Sequence, residues 1–285
     1  MATSHMTAAD MFEEAGRLLD LDMEGNRKEA VARARKLFKL MRRVDLHRGD
    51  ACELYHAAMR VATLLKHRRQ KLGLKVLRWA WQLDCDSKNE ALYRYELGSC
   101  YLYLRGKEGE AAQELCRAVE LLEPDHELLP VVCDNAALAC VRIGDDARAV
   151  RYLRRVVEMI QTSTSYPDRY RMQMAHISIA ESYWRMRRDE DAMALLDEVM
   201  ELDSLEPGVR PMVYSLRGDI HEFRGEYEEA AEEYRKGIEA TEPDIERRRV
   251  SPHLMDRESD VSDLRQLKKD LIRDLRRCER RLNRR

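Results

Sequence analysis

The residues of this chain best equipped for chemistry are its eight histidines and seven cysteines. Imidazoles move protons near neutral pH, and thiolates attack electrophiles or hold soft metals. Either job needs partners at set spacings. No two histidines stand four apart, and no two cysteines form a CxxC. Cys52, Cys85, Cys100, Cys116, Cys133, Cys140 and Cys278 fall mostly where a helical pattern would accept alanine, which points to small packing thiols in a reducing compartment. The phosphate loop GxxxxGKS/T, the dinucleotide fingerprint GxGxxG, the zinc-protease HExxH and the nucleophile elbow GxSxG are all absent. The acidic runs RRDEDA and EYEEAAEE follow a solvated helical pattern without the histidine partners a metal wants. The expectation is a protein that is not an enzyme and uses no cofactor and no metal.

The remaining chemistry on offer is charge. The chain is net −2, but the average hides an asymmetry. From Leu264 to Arg285 ten basic residues face three acids, a net +7 that leaves about −9 upstream. Within that tail Val261, Leu264, Leu267, Leu271, Leu275, Cys278 and Leu282 step by three and four, the stripe of an amphipathic helix. Lys268, Lys269, Arg273, Arg276, Arg277, Arg280 and Arg281 are its candidate anion-facing residues. Three readings stand: a cap over an apolar face, a coiled-coil or partner helix, or a basic arm for nucleic acid or anionic lipid. The tail has no aromatic residue to stack on bases, which weakens single-strand binding.

Such residues must be positioned by elements, and composition says which. Gly (12) and Pro (7) are scarce while Ala, Leu, Glu, Arg and Met abound, so helices dominate. The 36% of charged residues suits an elongated helical molecule with much surface. No stretch approaches twenty uncharged apolar residues, so no membrane span is expected, and the N-terminus lacks the pattern of a secretory signal. MATSHM resembles a cloning remnant, with the native start expected at Met6.

A small residue recurs at Ala30, Gly73, Ala111, Ala149, Ala192 and Ala230, at intervals of 38 or 43 residues. Four and seven residues on come further apolar or small positions, one face of a helix. A matching helix precedes each anchor, carrying Gly98, Ala137, Ala180 or Gly218 where two helices would approach closely. Short turns join them, three with a glycine: Gly106, Gly144 and Gly225.

YELGSCYLYLRGKEGEAAQELCRAVELLEP (95–124) and YSLRGDIHEFRGEYEEAAEEYRKGIEATEP (214–243) carry a recognisable signature. The chain resembles the tetratricopeptide repeat family, in a long-repeat form, since the usual period is 34 residues. The resemblance implies an all-α, right-handed superhelical solenoid of about six antiparallel helix pairs over 8–243. A tag remnant or disordered N-terminus would occupy 1–7, a polar linker 244–260, and the basic amphipathic helix 261–285. It also implies a concave groove lined by the first helix of each pair. Tyr95, Ser99 and Tyr103 would line it in pair three, and Asp134 and Arg142 in pair four. Glu181, Trp184 and Arg185 follow in pair five, and Asp219, Glu222 and Phe223 in pair six. The acids would face a basic or amino-bearing peptide, with aromatic residues as anchors. No pair supplies the Lys and Asn with which chaperone-tail-binding relatives clamp a carboxylate. The expected function is a cytoplasmic protein–protein interaction scaffold or adaptor. A peptide- or ligand-responsive regulator is the alternative, and an adaptor associated with nucleic acid through the tail is the third.

Overall fold

The computed structural model describes residues 6–44, 50–162, 168–250 and 257–283, the side chains of 248–250 and 257–260 apart. Among the described residues all regular structure is helical. Six pairs follow in order: α1 (Ala8–Met23) with α2 (Arg27–Met41), α3 (Asp50–Leu65) with α4 (Gln70–Trp81), and α5 (Glu90–Leu102) with α6 (Glu108–Leu121). Then come α7 (Leu129–Arg142) with α8 (Asp146–Thr162), α9 (Arg169–Arg185) with α10 (Asp189–Met200), and α11 (Val209–Arg224) with α12 (Tyr227–Val250). A thirteenth helix, α13 (Arg257–Leu282), closes the series. The helix pairs are those the repeat spacing predicts, and the fold is the tetratricopeptide-like one that the resemblance implies. It divides into two compact units, Met1–Gly144 and Asp145–Arg285.

Local chemistry sets the helix ends. Thr7 and Asp10 form a capping box, with Thr7 Oγ1 accepting from the Asp10 N–H at 3.1 Å and Asp10 Oδ2 accepting from the Thr7 N–H at 2.8 Å. Met6 packs against the core. The predicted N-terminal remnant 1–7 therefore loses its last two residues to the fold, while residues 1–5 lie outside the described part. Asn89 and Asp168 cap α5 and α9 through the Leu92 and Arg171 N–H groups, each at 2.9 Å. Five residues before the small anchor, the turn takes positive φ at Gly25, Gly106, Gly144 and Gly225. In pair five that place is held by Arg187, at φ 62°.

Within each unit a first helix packs on its own second helix and on the first helix of the next pair, as α3 does on α4 and α5, and α9 on α10 and α11. The anchors Ala30, Ala111, Ala149, Ala192 and Ala230 are wholly buried. Gly98 and Gly218 mark the tightest approach. A Cβ there would stand 2.6 Å from Leu115 Cγ or 2.4 Å from Tyr234 Cε1. In the N-terminal unit one continuous core joins α1 through α5, from Met11 and Leu18 to Leu54, Leu77 and Cys100. In the C-terminal unit Tyr234 of α12 packs with Leu271 and Cys278 of α13.

The polar linker expected at 244–260 is shorter than its composition suggests. Residues 244–250 continue α12 through Pro243, and 251–256 lie outside the described residues. A proline inside a helix removes a hydrogen bond and costs about 3 kcal/mol. Tertiary contacts offset that cost. The buried Asp244 carboxylate accepts from the Gly208 N–H at 2.8 Å, and Ile245 packs on Val261 and Leu264 of α13.

Candidate functional site

The first helices present their outer faces differently in the two units. In the N-terminal unit α5 carries Tyr95, Ser99 and Tyr103, but neighbours cover it on α3, α6 and α7. Tyr95 and Ser99 are consequently buried, not displayed as a groove lining would be. The Lys66 ammonium lies 4.6 Å from the centre of the Tyr95 ring and 3.1 Å from Glu96 Oε1, which also accepts from Thr63 Oγ1 at 2.9 Å. Burial pulls the Lys66 pKa down, but the Glu96 carboxylate and the Tyr95 hydroxyl outweigh it and raise it, so the ammonium is held charged. Lys66 opens a basic run, KHRRQK, at the turn between α3 and α4. Ser99 Oγ and Glu96 Oε2 are buried with no hydrogen-bond partner among the described residues.

Tyr103 sits just past the end of α5 and is exposed, edge-on to His67 with ring centres 4.9 Å apart. Arg142 of α7 holds its guanidinium 6.0 Å from that ring and donates to the Leu102 carbonyl at the end of α5. Asp134 is half-buried on α7.

In the C-terminal unit α9 and α11 lie side by side. Trp184 and Phe223 meet edge to face at 6.3 Å, and the Arg187 guanidinium lies 4.2 Å above Phe223. Phe223 is nonetheless 52% exposed. Glu181 pairs with Arg185, which also reaches Asp146 at 3.5 Å. An apolar anchor therefore stands half open on α11, with one guanidinium group stacked on its ring.

The acids of α11 have partners inside the chain. Tyr234 donates its hydroxyl to Asp219 Oδ1 at 2.8 Å and lies 3.1 Å from Glu222 Oε2. Arg277 of α13 grips both oxygens of Glu222, at 2.6 and 2.5 Å, and bonds Asp274 at 2.8 Å. Burial pushes the Asp219 carboxyl up to about 6, with Asp274 and Glu222 adding to it and Tyr234 opposing. The Arg277 guanidinium holds Glu222 below the usual carboxylate range. Asp219 and Glu222, predicted to face a ligand, thus hold α12 and α13 in place. One signal in the sequence points there. Tyr234 stands where four of the other five pairs carry a leucine (Leu77, Leu115, Leu153 and Leu196), and a buried tyrosine hydroxyl needs a partner.

The basic residues of α13 divide in the same way. Lys268 pairs with Glu242, Arg273 with Asp270 and Asp274, and Arg277 with Glu222. Arg280 donates to the Arg276 carbonyl at 3.0 Å. Lys269, Arg276, Arg280 and Arg281 lie toward solvent, partly or fully exposed. The apolar stripe Val261, Leu264, Leu271 and Cys278 is buried, so the helix covers the last pair in the manner of a cap. Among the described residues no group of three or more His, Cys, Asp or Glu side chains is arranged to hold a metal ion. No described helix is long and apolar enough to cross a membrane.

Residues 213–244, which comprise most of α11 and most of α12, match the family model described as Tetratricopeptide repeat. No curated protein matches the chain. Solved structures do. The apo form of the quorum sensor NprR from B. thuringiensis superposes with a TM-score of 0.57 at 15% identity, over 93% of this chain and 73% of that one. The nearly identical TPR-like repeats of a Podosopora anserina kinesin light chain, in a single-substitution form, give 0.55 at 16% identity, over 69% of this chain and 96% of that one. MamA 41-end from Desulfovibrio magneticus RS-1 gives 0.51 at 18% identity, over 72% of this chain and all of that one. At such identities the likeness is one of fold. It agrees with the helix pairs, the buried small anchors and the matched sixth pair: residues 213–244 carry a tetratricopeptide repeat, and the chain has a tetratricopeptide-like fold.

Proposed function

We propose that this chain is a scaffold or adaptor that docks a partner peptide on the first helices of its pairs, chiefly on α9 and α11. Tetratricopeptide repeat proteins generally mediate protein–protein interactions. The observation that carries this reading is the half-open aromatic pair Trp184 and Phe223, with Arg187 over the Phe223 ring. An exposed aromatic held rigid by a neighbouring ring gives contact area at low entropic cost, and anchors of that kind dominate interface energies. Glu181, held by Arg185 within the chain, is the acid for which a basic or amino-bearing group of the peptide would compete.

A second reading, a peptide- or ligand-responsive regulator, draws on the shared fold with the quorum sensor NprR, over nearly the whole of this chain. Both readings place a peptide on the same helices. A nucleic-acid adaptor working through α13 has less support, because Lys268, Arg273 and Arg277 already neutralise acids of this chain. Selection of a random-peptide display library on the full chain tests the proposal, followed by cross-linking of a selected peptide and mass spectrometry. Cross-links at α9 and α11 are expected. Cross-links confined to α13 or to the second helices would overturn it.

A further inference from the structure

A cleft in the C-terminal unit takes no part in the aromatic face of α9 and α11. It is open to solvent, has a volume of about 350 Å³, and lies among α8, α9 and α10. His176, Ile179 and Tyr183 reach it from a different face of α9 than the one that carries Glu181 and Trp184. Arg154, Val157 and Glu158 line it from α8, and Asp191, Leu195 and Glu198 from α10. On each helix an apolar residue thus stands between polar ones.

The two ends offer opposite hydrogen-bonding chemistry. At one end Arg154 donates to the Tyr183 hydroxyl, which leaves the phenol proton and further guanidinium N–H groups for another acceptor. Arg188 stacks 4.4 Å from the centre of the same ring and pairs with Asp191 at 2.7 Å, so the positive charge of Arg154 is left over. The other end lies seven residues back along α9, about 10 Å. There His176 donates its Nδ1–H to the Met172 carbonyl at 2.9 Å. A carbonyl only accepts, so the proton belongs to Nδ1, and Nε2 of the neutral ring is an acceptor. Burial holds the His176 pKa below the usual histidine value, against the Met172 carbonyl and Glu198, and the ring is neutral at neutral pH. Among the described residues Nε2 has no hydrogen-bond partner. Glu198, whose charge reaches His176, and Glu158, one turn of α8 beyond Arg154, add two exposed carboxylates that form no ion pair among the described residues.

We propose that this cleft binds a small linear zwitterion, its carboxylate on Arg154 and Tyr183 and its ammonium among Glu158, Glu198 and His176 Nε2. Val157, Ile179 and Leu195 receive the apolar span between the two charges. Each end repels the wrong group: a carboxylate beside the glutamates meets like charge, and an ammonium beside Arg154 meets a guanidinium. A metal ion is not the occupant, since His176, Glu158 and Glu198 do not form a metal-holding group. The separation of about 10 Å is the reach of three extended residues. A free tripeptide and an ω-amino acid of similar length present the same two charges at that distance. The site shares no side chain with the Trp184 and Phe223 pair, so it stands apart from peptide docking on α9 and α11.

Titration of the full chain, labelled with carbon-13 at histidine, tests this by NMR. The probes are tri-alanine and ω-aminooctanoate, set beside N-acetyl-tri-alanine, tri-alanine amide and octanoate, each of which lacks one charge. A zwitterion should move the His176 ring resonance, assigned by its loss in His176→Gln. The analogues lacking a charge should bind at least about tenfold more weakly, the scale of one charged hydrogen bond. A response to tri-alanine alone would assign the cleft to peptides, and one to ω-aminooctanoate alone to ω-amino acids. Arg154→Gln and Glu198→Gln alter exposed side chains and should each weaken the zwitterion by a similar factor, whereas Trp184→Ala should leave its affinity unchanged. A His176 resonance unmoved by both zwitterions at millimolar concentration, equal affinity for the analogues lacking a charge, or unchanged affinity in Arg154→Gln and Glu198→Gln would each overturn the proposal.

Discussion

Tyr234 reaches across the sixth pair with its ring against Gly218 and its hydroxyl on Asp219 and Glu222. Two predictions belong to these residues. A methyl group at position 218 would stand 2.4 Å from the Tyr234 ring, which its hydrogen bonds keep from swinging away. Gly218→Ala should therefore cost about 2 kcal/mol of stability in denaturant unfolding, the usual scale of overpacking. Asp219 tests the electrostatics. Its carboxyl, raised from 3.8 to about 6, prefers to be protonated in the folded chain. The folded state then binds more protons than the unfolded one across that window. The contribution of Asp219 is accordingly best below pH 3.8 and is lost as pH rises to about 6. Asp219→Asn keeps the acceptor for Tyr234 and removes the buried charge. It should stabilise by on the order of 2 kcal/mol at about pH 7 and by nothing near pH 4. Glu222→Gln should do the opposite at neutral pH, because Arg277 favours its charged form.

Turns and the terminal helix carry the predictions at the scale of elements. Arg187 holds a left-handed conformation where four other pairs have glycine. The strain is roughly 1–2 kcal/mol, against roughly 0.5–1 for its stacking on Phe223 at an exposed site. Arg187→Gly should therefore raise the melting temperature slightly, by a few degrees at most. Leu271 is wholly buried where α13 meets Tyr234, so Leu271→Ala should cost about 3 kcal/mol, read by chemical denaturation. Elements were the most legible level of this chain. The anchors from Ala30 to Ala230 locate all six pairs, because helix–helix contact demands small residues at a fixed period. The stripe from Val261 to Cys278 identifies α13 for the same reason, although it leaves open what the stripe meets. The end of α12 was not legible, since Pro243 reads as a stop and only contacts to Gly208, Val261 and Leu264 overrule it. The groove residues were legible by position but not by environment. Tyr95, Ser99, Asp219 and Glu222 occupy the expected helices, yet Lys66, Tyr234 and Arg277, distant in sequence, determine what they face.

Across the whole molecule the acidic repeats and the basic tail are the dominant asymmetry. Much of it is resolved within the C-terminal unit, where α13 neutralises Glu222, Glu242 and its own acids. What remains open there is the aromatic pair on α9 and α11, in a fold whose repeats generally serve protein–protein interaction. The central claim is that a partner peptide docks on that face. Its most direct test is calorimetric titration of a display-selected peptide into the unmutated chain and into Trp184→Ala/Phe223→Ala, with circular dichroism to verify that both are folded. Loss of two aromatic anchors should weaken binding by at least about tenfold, since one such anchor typically contributes more than 1 kcal/mol. An unchanged dissociation constant in a folded double variant would contradict the account.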